Sequence, residues 1–149
     1  MGRCYNVVFD SSDPYIAGAT TASDSYFVNW DAIMPDKAYK VSFSFMSEVG
    51  LLTGTVVMGV QLNLGGNDVY SCVSGNSRTL NYLGNAHSSD MAALHYMNAS
   101  VNDNPPIYLS QRPNNNVITV SLTNGASSVL FTTPNPSDYV LILHFEEQN

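Results

Sequence analysis

The chain has 149 residues, enough for one domain that buries its core without help from disulfides or metals. Hydrophobic residues make up 44% and charged residues only 11%, and Asn, Ser and Thr take the place of the charges, supplying 43 side chains. This composition excludes a disordered chain and a coiled coil, and a net charge of −7 with five scattered basic residues argues against direct nucleic-acid binding.

In chain order, the first residues, Met1 to Asn6, carry neither the apolar stretch of a signal peptide nor the Ser or Thr at position 6 of a myristoylation pattern. No later stretch approaches the ~18 apolar residues of a membrane span. Tyr5–Phe9 and Tyr26–Trp30 read as strands. Tyr39 to Phe45 is the clearest one, with Tyr39, Val41, Phe43 and Phe45 on one face and Lys40, Ser42 and Ser44 on the other. Thr55 to Leu64 repeats the alternation, setting Val56, Met58, Val60, Leu62 and Leu64 against Val57, Gly59, Gln61 and Asn63. Gly65-Gly66-Asn67-Asp68 supplies hairpin residues before Val69–Val73 and Thr79–Leu83. Ser88 to Met97 is the one place for a short helix, capped by Ser89 or Asp90, although Ala93–Met97 also reads as a strand. Ile107–Leu109, Val117–Thr123 and Val129–Thr132 follow, separated by Pro105-Pro106, Pro113-Asn114, Asn124-Gly125 and Pro134-Asn135-Pro136. Tyr139 to Phe145 is apolar on both faces except at His144, which predicts a central strand covered from both sides.

Short strands at regular spacing in one domain, residues 1–149, predict an all-β fold: an antiparallel β-sandwich, a single jelly roll of about eight strands. An immunoglobulin-like sandwich fits less well, because the chain is long for one and lacks the Cys–Trp–Cys spacing. The expected core holds Val41, Phe43, Phe45, Val60, Leu62, Ile118, Val120, Leu122, Leu141 and Leu143, with Phe27 and Trp30 as further aromatic filling.

Chemistry-bearing patterns are sparse. Cys4 and Cys72 have no zinc-like spacing and read as two buried thiols, with one long-range bridge as the alternative. Asn98-Ala99-Ser100 is a glycosylation triplet at a frequency chance alone supplies. His87, His95 and His144 form no His-x-His metal pattern. Asp10-Ser11-Ser12-Asp13, Asn67-Asp68 and Asn102-Asp103-Asn104 lack the ligand order of a calcium loop and read as Asx turns. Three glutamates, two of them in the C-terminal tail, give no facing carboxylate pair, and no nucleophile elbow or phosphate loop is present. The expectation is a protein without catalytic, cofactor-binding or metal-binding residues.

A surface coated with neutral polar groups suits contact with neighbouring subunits, since interfaces are depleted in Lys, Glu and Asp. Asn102, Asp103, Asn104, Pro105 and Pro106, together with Asn114, Asn115 and Asn116, are the candidate subunit contacts: proline stiffens these loops and asparagine both donates and accepts.

Tyr5-Asn6-Val7-Val8-Phe9-Asp10-Ser11-Ser12, Tyr26-Phe27-Val28-Asn29-Trp30-Asp31, Tyr39 to Ser47 and the closing Tyr139 to Glu147 resemble strands of small single-jelly-roll minor capsid or penton proteins of large double-stranded DNA viruses and virophage-like elements. The resemblance implies an architectural role in an icosahedral shell. Such a subunit is made in the cytoplasm of an infected host cell, resides in the virion, and assembles with itself or with the major capsid protein. It brings no catalytic residues. A lectin-like carbohydrate-binding sandwich, with a glycan as partner, is the alternative that the Asn and Tyr content supports.

Overall fold

The computed structural model describes residues 2–12, 23–49, 57–64, 69–73, 76–80, 82–91, 94–124 and 138–149. In chain order these form strands β1 (Cys4–Asp10) and β2 (Ser23–Phe27), the single-turn helix α1 (Trp30–Ile33), then β3 (Tyr39–Val49) and β4 (Val57–Leu62). They continue with β5 (Val69–Val73), β6 (Asn76–Leu80), β7 (Tyr82–Met91), β8 (Leu94–Ala99), β9 (Ile107–Leu109), β10 (Val117–Asn124) and β11 (Asp138–Glu147).

Eight of these strands make the sandwich. One sheet runs β1-β11-β3-β8 and the other β7-β4-β10-β2, and the β7–β8 hairpin joins them along one side. The pairings nest: β1 with β11, β2 with β10, β3 with β8 and β4 with β7, all antiparallel. A long hairpin rolled up on itself in this way is a single jelly roll. β5 and β6 pair with each other as a separate hairpin, and the short β9 lies along the start of β3.

The alternation in the sequence decides which faces turn inward. Val41, Phe43 and Phe45 of β3, Leu141, Leu143 and Phe145 of β11, Met58, Val60 and Leu62 of β4, and Ile118, Val120 and Leu122 of β10 are all buried in one cluster. All ten residues expected from the alternation to form the core lie in it. A polar link crosses between the sheets: Tyr26 donates to the Tyr139 hydroxyl at 2.8 Å, and Tyr139 donates to Asp24 Oδ2 at 3.2 Å. Burial pushes the Tyr26 hydroxyl up to about 12 and raises Tyr139 further, so both stay protonated donors at any ordinary pH.

Four expectations are corrected. Of the two readings of Ser88 to Met97 the strand prevails over the short helix: residues 88–91 and 94–97 pair as β7 and β8, and a weak local preference yields to a ladder that satisfies the backbone. The strand expected over Tyr26–Trp30 stops at Phe27, and Trp30 opens α1, where its indole donates to the Asn115 carbonyl at 2.6 Å. Phe27 consequently points outward and is 60% exposed, while Trp30 is buried edge-on against Phe145. Cys4 is a free, exposed thiol on β1 rather than a buried one. A further expectation is half right: β11 does lie between two strands, but its outer face is open, with Val140 exposed. Val129–Thr132, Gly65 to Asp68 and Pro134 to Pro136 lie outside the described residues.

Candidate functional site

Two surfaces share the outer face of the β1-β11-β3-β8 sheet. Strand register builds the first. Across β1, β11 and β3, the outward residues line up in rows: Asn6–His144–Ser42, then Val8–Ile142–Ser44, then Asp10–Val140–Met46. Val8 is 58% exposed, Met46 61% and Val140 38%, so cross-strand neighbours place these apolar groups side by side in water. Beside them, His144 Nδ1 lies 2.6 Å from Asn6 Oδ1, and Nε2 lies 3.3 Å from the Ser44 hydroxyl. Asn6 Oδ1 can only accept, so Nδ1 carries the proton, and Ser44 can donate to the neutral Nε2. Burial lowers the His144 pKa below its ordinary value and favours this neutral form. The first two rows therefore present no full charge, and the third carries one, Asp10 at the β1 edge.

The second surface is a cleft of about 620 Å³ lined by Lys40, Ser42 and the segment Val101–Pro106. It sits where strand pairing is interrupted. β8 leaves β3 at Phe45, β9 joins it at Val41, and among the described residues no strand pairs with residues 42–44 on that side. The intervening chain bulges outward as a loop that holds its own shape. Asp103 Oδ2 accepts from the Ser100 amide at 2.6 Å, and the Asp103 amide returns a bond to the Ser100 carbonyl at 3.1 Å. The Asn104 amide accepts from Asn85 N–H and donates to Asn85 C=O, both at 3.0 Å, standing in for the strand that β7 lacks beyond the end of β8. This approach needs Gly84, since a Cβ there would lie 2.5 Å from Asn104 Cγ and 2.8 Å from the Phe43 ring.

The structure thus gathers Asn102, Asp103, Asn104, Pro105 and Pro106 around one cleft and leaves Asn114, Asn115 and Asn116 elsewhere. Asn114 borders a smaller hollow of about 190 Å³ beside Arg112 and Leu109. Asn115 Nδ2 donates to the Asn63 carbonyl at 2.7 Å, and the Asn116 carbonyl accepts from Val28 N–H at 2.7 Å. Arg112 secures this end by donating to the Met34 carbonyl at 3.0 Å and pairing with Asp31. Asn104 and Asn115 are accordingly occupied within the chain, whereas Asn102, Asn114 and Asn116 are exposed.

Sequence reasoning did not single out Lys40 or Ser42 at the cleft, Tyr108 across from Lys40, or the Val8, Val140 and Met46 patch. The alternation contains them as outward positions, but only the strand order makes neighbours of β1, β11 and β3. Among the described residues, no group of three His, Cys, Asp or Glu could hold a metal ion. No helix among them is long and apolar enough to cross a membrane.

The chain matches no family model, no curated protein and no solved structure. Its fold rests on the strand order alone.

Proposed function

We propose that this chain is a structural subunit of a viral capsid, of minor-capsid or penton type, that assembles with copies of itself and with the major capsid protein in the virion. The observation that carries the reading is the outer face of β1, β11 and β3. The solvent side of an antiparallel sheet is ordinarily polar and charged, yet here Val8, Val140 and Met46 stand exposed in rows where Asp10, at the β1 edge, is the one charged group. A chain of net charge −7 repels its own copies, and a face with so little charge is where that repulsion is weak. The segments resembling capsid proteins fall on β1, β2, β3 and β11, three of which build this face. Residues Asn102, Asn114 and Asn116 extend the neutral contact surface at the loops.

Sedimentation of the purified chain over a range of concentrations tests the proposal. The expected result is a discrete, concentration-dependent oligomer that Met46→Glu dissociates while far-UV circular dichroism stays unchanged. A chain that remains monomeric up to about 100 µM, alone and mixed with the major capsid protein, overturns it.

A further inference from the structure

We propose that the cleft between Lys40, Ser42 and the 101–106 loop is a binding site for a neutral saccharide. The site shares only Asn102 with the capsid reading and uses none of Val8, Val140 or Met46. Its size lies within the ~300–1,000 Å³ of small-molecule sites. The loop is shaped before any ligand arrives: Asp103 and Asn104 hold it to Ser100 and Asn85, and Pro105 and Pro106 stiffen it. A loop fixed in advance loses little entropy on binding.

The neighbouring polar groups are differently placed. The Asn102 side chain is exposed and, like Ser42 and Tyr108, makes no side-chain hydrogen bond among the described residues. Each of these groups both donates and accepts, as a sugar hydroxyl requires. Register sets Tyr108 directly across from Lys40 on the same outward face, where it is 61% exposed. Its ring offers a flat apolar surface with a polar rim, which matches the C–H face and hydroxyl edge of a pyranose.

Other ligands fit less well. An anion or nucleic acid would meet one ammonium, Lys40, already 3.7 Å from Glu146, on a chain of net charge −7. An extended peptide adding to the sheet would find only residues 42–44 unpaired along β3, too short a run for strand addition.

The test is an ¹H–¹⁵N NMR titration of the full chain with glucose, galactose, mannose, fucose and N-acetylglucosamine and their common disaccharides, each to about 50 mM. At least one should give saturable shifts confined to residues 40–42 and 101–108. Asn102→Ala and Tyr108→Ala, both at exposed positions, should each raise its Kd about fivefold or more without altering the rest of the spectrum. No saturable shift with any sugar, shifts centred elsewhere, or a Kd unchanged in both variants would each overturn the proposal. Sedimentation of the same samples reports on assembly separately, so failure of this site and failure of the capsid reading are distinguishable.

Discussion

At the scale of single residues, the hydroxyl of Tyr139 is the joint between the two sheets, because it accepts from Tyr26 and donates to Asp24. Tyr139→Phe removes both of these bonds and should cost about 1–3 kcal/mol in urea unfolding, more than Tyr26→Phe, which removes only the outer donor. Equal losses would mean that Asp24 does not depend on Tyr139. Gly84→Ala should cost a similar ~1–3 kcal/mol by displacing the Asn104 amide and crowding Phe43. Because Asn104→Ala breaks the same contact, the double variant should lose clearly less than the sum, and strict additivity would separate the two sites. His144 adds a pH dependence. Its pKa is lower folded than unfolded, so the unfolded chain binds more protons in the window below 6.5. Its contribution is complete above about 6.5 and declines as pH falls toward the folded value. Replacing His144 with Asn should flatten the stability profile between about pH 7 and 5, and a profile left unchanged would place that slope in another group.

At the scale of elements, β3, β4 and β10 were legible because large apolar side chains recur at every second position in each, so period alone assigns both type and facing. Phe43→Ala should therefore cost about 3–5 kcal/mol, as expected for a buried aromatic with neighbours that cannot collapse around it, and a loss below about 1 kcal/mol would put Phe43 outside the core. Ser88 to Met97 misled because Ala and Leu after Ser and Asp imitate a capped helix, and what decides against it is pairing between β7 and β8, which no local window contains. Phe27 and Trp30 show the same limit: apolarity marks both for burial, and only the turn at α1 sends one inward and the other out. Of the candidate site, Asn and Pro content singled out the 102–106 loop, but as a subunit contact and not as the wall of a cleft. Lys40, Ser42 and Tyr108 were not singled out, since their adjacency depends on β9 docking against β3.

For the whole molecule, scarce charge has a measurable consequence. Contacts made through Val8, Val140, Met46 and neutral amides should depend weakly on ionic strength, so assembly should survive about 0.5 M salt. Dissolution at that salt would mark the contacts as ionic. At the loops, Asn114→Glu with Asn116→Glu should weaken assembly and leave folding intact, whereas Asn115→Glu should also disturb the chain by removing its bond to Asn63. A double variant that assembles normally clears the loop of a role between subunits.

The nesting of the strands also sets the order of events during synthesis. β11 lies between β1 and β3, and its neighbour contacts reach across almost the whole chain, as in the Tyr5–Glu147 hydrogen bond that spans 142 positions. Until residue 138 has emerged, β1 has no strand to pair with, and the inner sheet faces that β11 covers stay open to other nascent chains. Closure of the roll therefore waits for the last strand. The long loops it must close make folding slow for a domain of this size, with β11 acting as the latch that closes an open, aggregation-prone precursor into the finished sandwich.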